Sequence, residues 1–158
     1  MLLEQIKTYF ETEEGLGNLL KLLQEKFTRI DFYQNQLELH AMGAVEQYCE
    51  AKEELAGIKM FLNPIYSEAI TWKSNKEKKR YMQLKIGIEN KPAIQDEKGK
   101  LTKEKFSSAP TEVEASEYVA NYRRVRNVIE GYINSCWDGI KSCEQRIVEL
   151  KGENALNK

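Results

Sequence analysis

A heptad pattern between Leu16 and Leu62 constrains the fold of this chain more than any other feature. Successive positions of the pattern are spaced alternately four and three residues apart, and only one of them is polar. The positions are Leu16, Leu20, Leu23, Phe27, Ile30, Gln34, Leu37, Ala41, Ala44, Tyr48, Ala51, Leu55, Ile58 and Leu62. This spacing is typical of helices that pack along their length. A single helix over 16–62 would be about 70 Å long and would need partners of similar length.

One point within 16–62 favours an interruption. Asp31 and Gln34 have the spacing of a capping box, which could start a new helix. One helix with a slight bend and two helices with a corner therefore both fit the sequence, and the unbroken heptad phase favours continuity. The apolar seam can pair within the chain or between chains, because both arrangements have the same periodicity.

The composition favours an all-α protein of one domain. The chain has 158 residues, 31% of them charged and 41% hydrophobic, and only three prolines and nine glycines to interrupt helices. We predict an elongated antiparallel helical bundle or coiled coil of long helices, with a basic loop between the third and the last helix. The predicted segments within the single domain 1–158 are an N-terminal arm or short helix (1–14), the long heptad helix (16–62), a basic helix opened by Pro64 (64–86), the basic loop (87–109) and a long C-terminal helix (111–151).

The sequence carries no recognisable catalytic or metal-binding motif. The one histidine, His40, lies beside the heptad seam, where a structural role is the simpler interpretation. We find no cysteine–histidine set with metal-ligand spacing and no glycine-rich phosphate loop. We therefore predict a non-enzymatic protein without a metal or another cofactor. Three cysteines, an odd number, favour reduced thiols in the cytoplasm, and we predict neither a signal peptide nor a membrane span.

Charge is unevenly distributed along the chain. Residues 64–105 hold 11 Lys and Arg against 6 Asp and Glu, whereas 1–63 hold 6 against 11. Within 72–81, five cations and one anion lie between two aromatic residues, a composition suited to phosphates and unpaired bases. The predicted nucleic-acid-binding residues are Trp72, Lys73, Lys76, Lys78, Lys79, Arg80, Tyr81 and Lys85. A solvated helix face, with Trp72 in the core and charges paired within the bundle, fits this stretch equally well.

The last helix carries a second basic cluster and a wide apolar face. Arg123, Arg124 and Arg126 form a smaller basic cluster, for which we favour ion pairs to the acidic stretch 46–53 over a second nucleic-acid contact. The apolar face of the helix is wider than one neighbour requires, which predicts self-association. The predicted oligomerisation residues are Ile129, Ile133, Trp137, Ile140 and Ile147.

The order of elements resembles the UvsY-type phage recombination mediators. In both, a long N-terminal helical section precedes a basic helix, an irregular basic loop and a long C-terminal helix, and the run 130–142, EGYINSCWDGIKS, is similar to the aromatic, small-residue and Ile-Lys-Ser pattern near the end of those proteins. The similarity covers about the last 45 residues in pattern and the rest in order of elements. This chain departs from the family in a longer N-terminal section and a longer, lysine-rich loop.

The resemblance implies a function. Members of the family bind single-stranded DNA, assemble into a ring through their C-terminal helices, and help a recombinase displace single-strand-binding protein. It implies DNA contacts at Lys76, Lys78, Lys79 and Arg80, and a location in the host cytosol if the chain is phage-encoded. The alternative is a helical protein–protein interaction module, such as a phage assembly chaperone, a scaffold or an inhibitor of a host system, with no nucleic-acid binding.

Overall fold

The computed structural model describes residues 3–158, which are helical except for connections and one short β-hairpin. The elements in chain order are α1 (Leu3–Thr8), α2 (Glu13–Glu38), α3 (Val45–Glu89), β1 (Ile94–Gln95), β2 (Leu101–Thr102), α4 (Ser108–Tyr118) and α5 (Ala120–Leu156). The all-α prediction is confirmed. The predicted N-terminal segment 1–14 contains α1, and its first two residues lie outside the described part. Within 3–158, no helix combines the length and the hydropathy needed to cross a membrane.

Helices α3 and α5 form the main packing unit and run antiparallel. Near the end of α3, Arg80 contacts Glu114 just before α5, at 2.9 Å. Closer to its start, Lys52 Nζ lies 2.9 Å from Glu144 Oε1, near the far end of α5. At 45 residues, α3 is about 68 Å long.

Helix α2 packs beside the first half of α3 and the middle of α5. The Phe27 ring stacks on Tyr132 with 4.0 Å between centroids, and the Tyr132 hydroxyl donates to Asp31 at 3.1 Å. The second half of α3 is covered by α4 and by the N-terminal residues that follow α1. Helices α2, α3 and α5 therefore enclose one continuous core. Its largest fully buried side chains include Leu19, Leu23, Ile30, Tyr48, Leu55, Leu62, Ile65 and Ile129.

The predicted single helix over 16–62 is wrong, because the chain reverses direction between α2 and α3. His40 adopts a left-handed conformation, with φ +49°. The Gln47 side chain accepts hydrogen bonds from the backbone N–H groups of Gly43 and Ala44, at 2.9 and 3.1 Å, and so satisfies donors at the start of α3. The Tyr48 hydroxyl donates to the Met42 carbonyl at 2.9 Å inside the core.

The alternative corner at Asp31 is also wrong, since α2 continues to Glu38. Asp31 accepts a hydrogen bond from Tyr132 instead of capping a helix. Ala41 and Ala44, which carry the heptad spacing across the turn, are exposed, so the unbroken phase there does not reflect burial.

Pro64 does not separate two helices but lies within α3. Proline removes one backbone hydrogen bond and disfavours a helix interior. Here Pro64 and Asn63 are exposed, while the flanking Leu62 and Ile65 are fully buried. Burial of these neighbours on both sides holds the helix together through the proline.

The predicted segments 87–109 and 111–151 also differ from the structure. Helix α3 extends to Glu89, and the following segment forms the antiparallel β1–β2 hairpin. The C-terminal helix is interrupted at the fully buried Val119 and continues to Leu156. Thr111, where the C-terminal helix was predicted to begin, lies within α4, and its buried side chain donates to the Ser107 carbonyl at 2.8 Å.

Candidate nucleic-acid interface

The predicted cluster 72–81 lies on the second half of α3. This half faces α4, the start of α5 and the N-terminal turn, so that several cations meet intramolecular partners. The structure divides the eight predicted contact residues into a packed group and an exposed pair.

Trp72 and Lys76 belong to the packing of the N-terminus. The Trp72 ring is half-buried and stacks near Phe10, with centroids 6.5 Å apart and planes 14° apart. The Lys76 Nζ lies 5.6 Å from the Trp72 ring and 5.0 Å from the Tyr122 ring, in cation–π contacts. It also donates to the Glu11 carbonyl at 3.4 Å. Both side chains thus fasten the N-terminal segment to the bundle.

Three other cations among the eight predicted residues are paired with carboxylates. Lys73 forms an ion pair with Glu77 one turn along α3, and Lys85 lies 4.0 Å from Glu89. Arg80 bridges to α4, with Nη2 2.9 Å from Glu114, and its guanidinium lies 5.1 Å from the Tyr118 ring.

Tyr81 contacts the end of the hairpin segment. Its ring meets Phe106 edge to face, with centroids 6.0 Å apart and planes at 89°. Lys85 Nζ lies 5.5 Å from the same Phe106 ring. Phe106 therefore attaches the hairpin segment to α3 and places its lysines beside the predicted cluster.

The hairpin is ordered by its own hydrogen bonds. Asp96 Oδ1 accepts from the backbone N–H groups of Lys98 and Lys100, at 2.9 and 2.8 Å. Gly99 has φ +75°, a conformation that residues with a Cβ rarely adopt. The tight turn holds Lys98 and Lys100 on either side of Gly99 in solvent.

Six exposed lysines in this region have no side-chain partner among residues 3–158. We call them the basic end: Lys78, Lys79, Lys98, Lys100, Lys103 and Lys105. Only the first two were predicted as contact residues. The other four come from the segment 87–109, which the sequence predicted to be a basic loop. The run Asp96-Glu97-Lys98-Gly99 could have indicated the tight turn within it.

The three arginines of α5 do not pair with the acidic stretch 46–53, and that interpretation is wrong. Arg123 donates to the Ser116 carbonyl at 2.5 Å, and Arg126 donates to Asn127 Oδ1. The antiparallel arrangement places these arginines level with the second half of α3, whereas 46–53 faces the end of α5.

The predicted oligomerisation residues occupy two environments. Ile129 and Ile140 are buried in the core of the chain itself, and Ile133 and Ile147 are partly buried against it. Trp137 is 47% exposed and lies between Lys59 and Lys141, whose Nζ atoms are 4.6 and 5.1 Å from the ring.

A second surface lies between α2 and α3, on the first half of the bundle. It is an open groove of about 730 Å³ with Phe32 and Gly57 in its lining. The Arg29 guanidinium donates to Glu54 at 2.9 Å, and the Tyr33 hydroxyl donates to the same carboxylate. The bond from Arg29 lowers the pKa of Glu54. Burial, followed by the bond to Glu54, raises the pKa of Tyr33 to about 12.

The cysteines are free thiols in the core or at its edge. Cys136 and Cys143 are buried and Cys49 is partly buried. Burial raises the pKa of Cys136 to about 11 and also raises that of Cys143. Residues 3–158 contain no group of three or more His, Cys, Asp or Glu side chains placed to hold a metal ion.

Comparisons with protein-family models, with curated proteins and with solved structures gave no match for this chain.

Proposed function

We propose that the protein is a non-enzymatic accessory of DNA recombination that binds single-stranded DNA, assembles into oligomers and helps load a recombinase in place of single-strand-binding protein. The observation that carries the DNA-binding part is the basic end, where six lysines are exposed and unpaired within the described chain. The role in recombination and the protein partners rest on the resemblance of the sequence to UvsY-type mediators.

The basic end suits a flexible polyanion. Ammonium groups on the second half of α3 and on a hairpin can follow a phosphodiester backbone, because lysine binds phosphate as a point charge without a fixed geometry. Such contacts are independent of sequence. Binding then requires no covalent chemistry, and oligomer assembly multiplies weak contacts along one strand.

Self-association is supported by the outer face of α5. Trp137 and Val148 are 47% and 70% exposed, and their spacing of eleven residues, about three turns, puts them on one side of the helix. Ile129 and Ile140 contribute indirectly, since their burial holds α5 in the bundle.

The test is a fluorescence-anisotropy titration of a labelled single-stranded oligonucleotide at about 50 and 200 mM salt. If all six lysines of the basic end neutralise phosphates, the slope of log affinity against log salt is about −4, and affinity falls about 300-fold over this range. Replacement of the six lysines by alanine should abolish binding. A charge-matched comparison sets Lys98→Ala with Lys100→Ala, which should weaken binding, against Lys21→Ala with Lys151→Ala, two exposed lysines elsewhere, which should leave binding unchanged.

The groove between α2 and α3 favours the second candidate, a helical protein-interaction module. It presents the exposed Phe32 beside the open Gly57, a surface onto which a partner helix could pack. No oligonucleotide binding at the lower salt, by a folded protein, would contradict the DNA-binding proposal and favour this candidate.

A further inference from the structure

A cleft between α3 and α4 opens beside the basic end. Its volume is about 340 Å³, and its lining comprises Ser74, Glu77, Lys78, Tyr81, Glu112 and Ala115. Ser74 of α3 and Ala115 of α4 are the two smallest side chains of this lining. Ala115 is 1% exposed, Tyr81 is partly buried and Lys78 is exposed.

The two carboxylates of the cleft differ in availability. Glu77 is held in an ion pair by Lys73. Glu112 is exposed and has neither a hydrogen bond nor an ion pair within the described chain. The cleft therefore offers the Tyr81 ring, which Phe106 contacts edge to face, one free acceptor and one free cation, Lys78.

We propose that this cleft binds a single unpaired nucleobase that carries an exocyclic amino group. The base would stack on Tyr81, its amino group would donate to the Glu112 carboxylate, and its 5′ or 3′ phosphate would lie near the Lys78 ammonium. Stacking on an aromatic ring accepts every base, but a carboxylate acceptor favours bases with an exocyclic amino group, such as cytosine through N4, over thymine. Thymine has no exocyclic amino group, and its one donor, N3–H, lies between two carbonyl oxygens that repel a carboxylate, so it pairs less well with Glu112.

This inference rests on the proposed DNA binding and adds a base preference to it. The basic end alone would bind all sequences alike, since phosphates carry no sequence information. The cleft would thus make the protein favour cytosine-rich over thymine-rich single strands.

The experiment measures the affinities of the full chain for oligo-dC and oligo-dT of equal length, and takes their ratio. The wild type should favour oligo-dC by about fivefold, as expected for one net hydrogen bond. Glu112→Gln should bring the ratio close to one, because the amide accepts from cytosine and donates to thymine. Glu117→Gln removes the same charge from an exposed position of α4 outside the cleft and should keep the wild-type ratio.

The ratio separates base recognition from general electrostatics. Loss of a negative charge near DNA strengthens binding of both oligonucleotides equally, and so does not change the ratio. Binding of both oligonucleotides with a ratio that Glu112→Gln does not change would overturn the base cleft and leave the proposed function standing. Binding of neither would overturn both.

Discussion

Gly139 of α5 and Leu55 of α3 meet where the two long helices approach closely. A Cβ atom added to Gly139 would lie 2.8 Å from Leu55 Cδ1, closer than carbon atoms in contact are found. Leu55 is 1% exposed, so its side chain has little room to move away. The missing side chain at 139 is therefore part of the fit between α3 and α5.

Gly139→Ala should lower the free energy of unfolding by about 0.5–2 kcal/mol, because the usual cost of overpacking a core, about 1–3 kcal/mol, exceeds the gain in helix propensity. Gly131→Ala is the matched control on the same helix, because nothing lies within 4 Å of the added Cβ. That control should gain about 0.5–1 kcal/mol from helix propensity. Urea denaturation of both variants measures the difference, and equal stabilisation of the two would contradict the close approach.

The Arg29–Tyr33–Glu54 network should make stability depend on pH at both extremes. The pKa of Tyr33 is raised from 10.0 to about 12, so its neutral form stabilises the fold, and this contribution is lost as the pH rises from 10 through 12. The pKa of Glu54 is lowered from 4.5, so its contribution is present above that pH and is lost as the pH falls through the lowered value.

Unfolding free energies measured against pH test this assignment. Tyr33→Phe should flatten the decline between pH 10 and 12, and Glu54→Gln should flatten the decline below pH 4.5. If Tyr33→Phe loses stability between pH 10 and 12 as much as the wild type does, groups other than Tyr33 cause that loss.

The thiols should differ in reactivity. The partly buried Cys49 should react first with a disulfide reagent at about pH 8, because the thiolate is the reactive species and the buried Cys136 has its pKa raised to about 11. Cys143 is also buried with a raised pKa and should react slowly. Counting of released chromophore should give one fast thiol in the native state and all three in denaturant. Cys49→Ser should remove the fast phase; three fast thiols in the native protein would mean that α5 leaves the bundle readily.

Trp137 should contribute to assembly without supporting the fold. Trp137→Lys places a charge on the exposed face of α5 and should lower the mass measured by light scattering, with the helical circular dichroism unchanged. Ile129→Ala is the contrasting variant: Ile129 is 0% exposed, so its truncation should cost about 2–5 kcal/mol of stability. A wild-type protein that is monomeric at all concentrations would contradict self-association through this face.

The sequence predicted the helical class and most of the apolar faces, because a period of three to four residues reflects burial directly. It did not predict where α2 ends, since Ala41 and Ala44 keep the heptad spacing in a segment that is not helical. The turn that ends α2 depends on the left-handed backbone of His40 and on hydrogen bonds to the Gln47 side chain. Neither leaves a periodic pattern in the sequence. At Pro64 the sequence predicted a helix boundary that does not exist, because burial of the neighbouring residues outweighs the lost hydrogen bond.

The sequence predicted the charge of the candidate site but not which of its cations are free of intramolecular partners. The excess of lysine over 64–105 correctly located the basic region, yet whether a given cation is free depends on contacts from distant segments. Lys76 meets Glu11 and Tyr122, and Arg80 meets Glu114, none of which is near in sequence. A count of charges along the sequence does not show these pairings, because they form only in the folded chain.

The antiparallel packing of α3 against α4 and α5 also sets how much chain each contact closes. Arg80 and Glu114 are separated by 34 residues, whereas Tyr66 and Glu130, further from the hairpin, are separated by 64. Closing the shorter loop costs less conformational entropy, by about 0.6 kcal/mol for each doubling of length. Between α3 and the helices that follow it, pairing is therefore favoured first at the hairpin, and each contact shortens the next loop. Arg29 and Glu54, which join α2 to α3, are separated by only 25 residues, so by the same measure we expect early pairing at both turns of the chain.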